Sequence, residues 1–435
     1  MSEWKETTVG QICNVKGGKR LPAGKEFAEG ATPFPYLRVT DMVGGSIDQT
    51  SLVYVKPEIE PFIRHYKISK DNLYVTIAGT LGLFGTIPEN LDNAQLTENA
   101  AKLCEIDFSK FNKNFLKYYF NSEKIQTQIW REIGVGGGVP KLALFRIEKL
   151  KVKYPEKKIQ DRIAHILTVC DAVIEKTQAA IAKYRAIKQG MLHDLFARGI
   201  DIITGKLRPK YEYAPDMYKE SKLGMVPKEW GVERLESLCT EKPTYGINAA
   251  AVDFTHQLPT YIRITDIDEE GNFSKTGRKC VDSPFSSNYC LKKGDLVFAR
   301  TGATVGKTYL YNEADGLLVY AGFLIKVSPN TKTLNSDFLK FLTETPYYLN
   351  WVGLMSQRSG QPGINGNEYG GLLIPKPDPK EQKNIAAKLL TIQRKINTEQ
   401  SYLHKLQSIK QGLMADLLGG KRRVSVHEEL LTVST

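Results

Sequence analysis

The chain repeats itself. Segments recur in the same order at an offset that shrinks from 226 residues (Trp4 to Trp230) to 222 (Ile187 to Ile409). Glu3-Trp4 is matched by Glu229-Trp230, and Tyr36-Leu37-Arg38-Val39-Thr40-Asp41 by Tyr261-Ile262-Arg263-Ile264-Thr265-Asp266. Asn72-Leu73-Tyr74-Val75 is matched by Asp295-Leu296-Val297-Phe298. Each runs into a Gly/Thr turn, Ala78-Gly79-Thr80-Leu81-Gly82 in the first copy and Thr301-Gly302-Ala303-Thr304-Val305-Gly306 in the second. Phe115-Leu116-Lys117 answers to Phe338-Leu339-Lys340, and Ile187-Lys188-Gln189-Gly190 to Ile409-Lys410-Gln411-Gly412. A period this long is no solenoid. It describes one domain-plus-helix unit, duplicated, and 435 residues leave room for both copies.

Each copy has two textures. Residues 1–154 and 214–376 carry short runs of Val, Ile, Tyr, Phe and Thr broken by Gly, Pro and Asn, which predicts short strands with a few helices. Residues 111–131 and 335–352 read as helical. From Lys158 to Phe196 there is no Pro, and Gly occurs only near the end. Ile159, Ile163, Ile166, Cys170, Val173, Thr177, Ala180, Tyr184, Ile187 and Met191 alternate steps of four and three. Ile385, Leu389, Ile392, Ile396, Glu399, Leu403, Leu406, Lys410, Leu413 and Leu417 do the same. A seam of about four heptads predicts a coiled coil. The second helix has a start signal in Asp378-Pro379-Lys380-Glu381: a capping Asp, Pro at the first helical position, and Glu three residues after the cap. In the first copy Pro155 marks the same boundary.

The fold class expected is therefore α+β. Two strand-rich domains stand in tandem, each followed by a long helix, the helices pairing as an antiparallel coiled coil. The divisions are domain one at 1–154, helix and connector at 155–213, domain two at 214–376, a distal helix at 377–420, and a tail at 421–435. A helix of roughly forty residues spans about 60 Å. Antiparallel pairing would hold the two domains at opposite ends of it, an arrangement suited to a duplex with two separated half-sites.

Composition narrows the partners. Sixty Lys and Arg against 48 Asp and Glu give a net charge of +12, compatible with a polyanion. No apolar run is long enough to cross a membrane and the first residues show no signal region, so a cytoplasmic protein is expected. The cysteines Cys13, Cys104, Cys170, Cys239, Cys280 and Cys290 form no C-x-x-C pair, which predicts reduced thiols and no zinc site.

Enzyme signatures are missing. Gly302 to Thr308 looks like a phosphate-binding loop, but it is one residue short between the glycines and continues as a predicted strand. Gly134-Val135-Gly136-Gly137-Gly138 is not G-x-G-x-x-G. No Pro-Pro pair exists to grip a flipped adenine. Asp378 and Glu381 are explained by helix capping. His65, His165, His193, His256, His404 and His427 are scattered, without a nucleophile or carboxylate partner.

The ordered, duplicated set of motifs resembles the DNA-specificity (S) subunits of type I restriction–modification systems. Ser221-Lys222-Leu223-Gly224-Met225-Val226-Pro227-Lys228-Glu229-Trp230 and Arg198-Gly199-Ile200-Asp201 add to the resemblance, which runs to about residue 418. It implies a non-catalytic chain whose two domains read the two halves of a bipartite double-stranded DNA target. The helices would set the spacer and bind two modification subunits. Those would carry S-adenosylmethionine and methylate adenine by base flipping. A restriction (motor-nuclease) subunit would use ATP and magnesium, and this chain would hold no cofactor.

Candidate DNA contacts are the repeated Arg38, Thr40, Arg263 and Thr265, the turn residues Gly79, Thr80, Arg300, Thr301 and Lys307, and the loops before each helix with Gly137, Lys141, Arg358 and Gln361. Arginine reads guanine edges, and Lys, Thr and close-approaching glycine backbone hold phosphates. The competing classes are a self-sufficient DNA-modifying enzyme and a coiled-coil scaffold without DNA specificity. Removing one heptad from both helices shortens them by about 10 Å, near three base pairs. Methylation mapping should then show an altered spacer, or no assembly, with both half-site sequences intact. A changed half-site with an unchanged spacer would count against the reading.

Overall fold

In the computed structural model the described residues are 4–132, 140–357, 360–422 and 424. They form two compact units: 1–178 with 401–435, and 179–400. Each unit thus contains one strand-rich domain, one end of the helix Lys157–Arg198 and one end of the helix Pro379–Leu417.

The two domains share a topology. In the first, strands Asn14–Gly17, Ala100–Cys104, Leu73–Thr76 and Phe84–Thr86 make an antiparallel sheet in that order. In the second, Thr244–Tyr245, Leu324–Val327, Leu296–Ala299 and Thr308–Leu310 repeat it. A further sheet contains one parallel pair in each unit, Pro35–Leu37 with Ala94–Leu96 and Thr260–Ile262 with Leu318–Tyr320. The second unit adds an edge strand, Ala251–Asp253, on Lys279–Val281. The strand Leu296–Ala299 is buried along its whole length, which explains why it reads as an unbroken apolar run.

The expected helices at 111–131 and 335–352 are each broken in two. Lys113–Phe120 stops at Asn121 before Glu123–Glu132, and Ser336–Leu342 stops before Pro346–Met355. Asn121 turns its amide to strand residue Phe84, accepting from the nitrogen at 3.1 Å and donating to the oxygen at 2.8 Å. In the second copy the Thr345 hydroxyl accepts from Tyr348 N, and Pro346 opens the new helix.

A buried glutamine fixes the start of each long helix. Gln160 accepts from Asn112 N at 3.0 Å and donates to Lys110 O and Pro155 O. Gln382 accepts from Asn335 N at 2.8 Å and donates to Thr333 O and Pro377 O. Both glutamines are fully buried, so these bonds satisfy their amides and pin each helix to the loop ahead of its domain's short helix.

The long helices pair antiparallel. Within the second unit Lys188 donates to Gln393, and Lys395 lies over the Tyr184 ring, so one helix ascends as the other descends. Within the first unit Lys410 meets Asp171 at 2.5 Å. The second helix keeps the expected register: Ile385, Leu389, Ile392, Ile396 and Leu417 are buried. The first keeps it as far as Thr177, which is buried, and departs from it beyond. Ile181 and Leu192 are buried where Ala180 and Met191 were expected to lead, and Ile187 is 41% exposed. A straight helix drifts about 20° per heptad against a strict seven-residue repeat. Here the drift turns Leu192 and Leu195 into the core of the second domain, which they share with Phe338 and Tyr369.

Glu381 is also not the capping residue the sequence suggests. Asp378 Oδ1 accepts from Lys380 N at 2.8 Å, but the Glu381 carboxylate is buried and turned away from the helix end. It takes both guanidinium arms of Arg208 at 2.5 and 3.1 Å, Trp230 Nε1 at 3.1 Å and Ile200 N at 2.7 Å. Gly199, at φ +64°, passes so close that a Cβ would sit 2.1 Å from Glu381 Oε1. A buried pair with one partner removed leaves an uncompensated charge at a cost of about 3–5 kcal/mol. Arg208→Ala should lower the unfolding free energy of the second unit by that amount in urea denaturation. A loss below about 1 kcal/mol would contradict the role given to this cluster.

Candidate nucleic-acid interface

The Gly/Thr turns are built alike. Gly79 and Gly82 have φ of +77° and +73°, and Gly302 and Gly306 have +73° and +85°, a region that L side chains rarely enter. The last glycine of each turn is also crowded. A Cβ on Gly82 would lie 2.9 Å from Ile129 Cδ1, and one on Gly306 would lie 2.6 Å from Val352 Cγ1. Helix contacts hold both carbonyls: Gln126 Nε2 donates to Gly82 O and Tyr348 OH to Gly306 O, each at 2.8 Å. The last glycine of each turn is thus held against a helix, while of the first glycines Gly79 is exposed and Gly302 half-buried.

Each turn is joined by the loop that follows its domain's helices. In the first unit Ala78 bridges Lys141, and Leu142 N donates to Ile77 O at 2.9 Å. In the second, Thr301 bridges Gly363, Gly302 N donates to Pro362 O at 3.0 Å, and Ile364 N donates to Arg300 O at 2.9 Å. The candidates Gly79, Thr80 and Lys141 thus come together on one exposed edge. Arg300, Thr301 and Gln361 come together on the matching edge of the other unit, where a Cβ on Gly302 would stand 3.1 Å from Gln361 Nε2. The Arg300 guanidinium lies over the Tyr245 ring at 4.8 Å, and Tyr245 OH accepts from Gly366 N at 2.9 Å. Stacking orients the guanidinium without consuming its donors. Tyr245 was missed by sequence reasoning, because nothing local ties it to an arginine 55 positions on.

Arg38 and Arg263 stand apart from these edges in their chemistry. Arg38 binds Asp41 through Nε at 3.1 Å and Nη2 at 2.8 Å, and also reaches Ser51 O. Arg263 holds Asp266 at 2.8 and 2.7 Å. Asp41 and Asp266 are buried, and their hydrogen bonds raise the guanidinium pKa in both copies. These arginines close a short turn whose exposed residues are Thr40 and Thr265. Lys307 is paired with Glu269 at 2.6 Å. Gly137 and Arg358 lie outside the described residues.

The segment that looks like a phosphate loop runs from a short turn, Gly302–Thr304, into the strand Thr308–Leu310 and opens no helix. Among the described residues no three His, Cys, Asp or Glu side chains are grouped to hold a metal ion, and no helix is long and apolar enough to cross a membrane. Burial pushes the Cys13 and Cys239 thiols up to about 12, which keeps them protonated.

The sequence model of the type I restriction modification DNA specificity domain matches residues 1–183 and 227–408. The type I restriction enzyme MjaVIII specificity subunit of Methanocaldococcus jannaschii is 23% identical over 316 residues, 71% of this chain and 70% of the relative. The StySPI specificity subunit of Salmonella potsdam is 20% identical over 405 residues, 89% and 82% of the two chains. Among solved structures, the type I restriction–modification S subunit from M. genitalium superposes with a TM-score of 0.59. It is 15% identical and covers 95% of this chain and 96% of its own, a likeness of fold. The two matched segments each take in one strand-rich domain and most of the helix after it, so the resemblance carried by the repeated motifs is borne out. The protein belongs to the type I restriction–modification DNA specificity family.

Proposed function

We propose that the chain is the sequence-reading subunit of a type I restriction–modification complex, with each domain contacting one half of a bipartite DNA target and no catalysis of its own. The observation that carries this is the duplicated edge where a Gly/Thr turn meets the loop after the helices: Lys141 stands on that loop in one unit, and in the other Arg300 opens the turn and Gln361 stands on the loop. Exposed backbone amides, a threonine hydroxyl and a cation at one edge are what phosphate and groove contacts require. Arg300, steadied by Tyr245, is the best candidate for a guanine edge. Arg38 and Arg263 serve as scaffold, and Thr40 and Thr265 are the contact residues of that motif. The long helices dock two modification subunits, which bring S-adenosylmethionine, and the restriction subunit brings ATP and magnesium. The complex works in the cytoplasm.

Fluorescence anisotropy of the full chain, assembled with its modification subunit, on a labelled duplex tests this. The logarithm of the affinity should fall linearly with the logarithm of salt concentration. Lys141→Ala should reduce that slope by about one, and Arg300→Ala should weaken binding to a preferred sequence by about tenfold, with little effect on other sequences. Absent or salt-independent binding by a folded assembly would favour the scaffold reading.

A further inference from the structure

Two repeated motifs remain unexplained by DNA contact: the lysine of Phe-Leu-Lys and the lysine of Ile-Lys-Gln-Gly. In each unit they line one cleft. In the second unit Lys340 and Lys188 do so in a cleft of about 460 Å³, and in the first Lys117 and Lys410 do so in one of about 910 Å³. The two clefts are copies of each other, formed by the same helices at matching positions.

Their charge differs. In the second unit Glu344, four residues after Lys340, neutralises both lysines, with Lys188 at 2.5 Å and Lys340 at 3.0 Å. Burial pushes Glu344 upward, but the two ammoniums outweigh it and hold the carboxyl below its usual range. The matching position in the first unit, four residues after Lys117, is Asn121, whose amide is spent on Phe84. Lys410 turns to Asp171 instead, which also accepts from Tyr118 OH at 2.7 Å. Lys117 has the Tyr118 ring 4.4 Å from Nζ; Asp171 and Glu175 attract it from further off, but among the described residues no carboxylate forms an ion pair with it. Burial lowers its pKa, so its charge is costly where it stands.

We infer that the cleft of the first unit receives a carboxylate from an acidic segment of a partner protein, at the position that Glu344 fills from within in the second unit. The lining charges favour one carboxylate over a phosphate chain. Lys117, Lys124, Lys410 and Lys421 face Glu123, Asp171 and Glu175, four cations against three anions, a surplus of one. A nucleic-acid backbone would bring successive charges beside Asp171 and Glu175. A volume of about 910 Å³ admits several residues around the acid.

The inference rests on the function proposed above, in which the partner is the modification subunit. The full chain is assembled with that subunit and treated with a carbodiimide, which joins an amine to a contacting carboxylate as an amide with loss of water. Mass spectrometry should find Lys117 coupled to an Asp or Glu of the partner. Lys117→Arg should keep assembly and lose the cross-link. Lys117→Glu should weaken assembly by at least about tenfold, since like charges are then apposed in a half-buried site. Lys117→Met, which removes the charge without reversing it, should fall between, with unchanged melting behaviour as the folding control. Coupling of Lys117 only to Asp171 or Glu175 of its own chain, with Lys117→Glu assembling within twofold of the unaltered chain, would overturn the inference alone. Failure of the unaltered chain to bind the modification subunit would instead overturn the functional reading and the inference with it.

Discussion

The structure depends on helices that cannot cover their own apolar stripes. Lys157–Arg198 and Pro379–Leu417 each carry a buried row that ends in a domain core. In the first unit Ile163 and Leu167 of one helix share a cluster with Leu417 and Leu418 from the end of the other. In the second, Leu192 and Leu195 share one with Ile385 and Leu389. Each unit therefore needs a segment that lies far along the chain, Leu417 for Ile163 in the first unit and Ile385 for Leu192 in the second, and burial of that shared stripe supplies the driving force.

Polar locks then fix what burial leaves free. Burial is non-directional and tolerates a slide along the helix, whereas Gln160 and Gln382 set where each helix begins. The Arg208–Glu381–Trp230 cluster adds a third lock in the second unit. The corresponding helix position in the first unit is Ile159, so duplication has been followed by divergence inside a common frame. The same divergence separates Glu344 from Asn121. Exposed turns on a rigid frame can vary their side chains while their glycines keep the backbone path, an arrangement suited to chains that read different targets.

Much of the fold was legible because duplication doubles every signal. The helices, their approximate ends and the strand-rich domains follow from periodicity and from the placement of Gly and Pro. The register of the first helix past Thr177 was not legible, since it is set by the domain core that Leu192 enters and not by the heptad. The site was legible in part. The Gly/Thr turns and the loops that pair with them recur, and recurrence pointed to them. Recurrence also pointed to Arg38 and Arg263, because scaffold residues repeat as faithfully as contact residues. The structure adds that Asp41 and Asp266 engage both guanidiniums bidentately. Glu381 looked like a cap because a cap and a buried ion pair require the same residue at the same place, and Arg208, 173 positions earlier, gives no local sign.

The central claim is that two copies of one unit each read part of a DNA target. The most direct measurement is a map of N6-methyladenine across host DNA with this chain and its modification subunit co-expressed. The account predicts a motif of two short half-sites around a fixed gap that appears only when the chain is present. Methylation by an active partner that does not depend on the chain, or a motif without a gap, would contradict it.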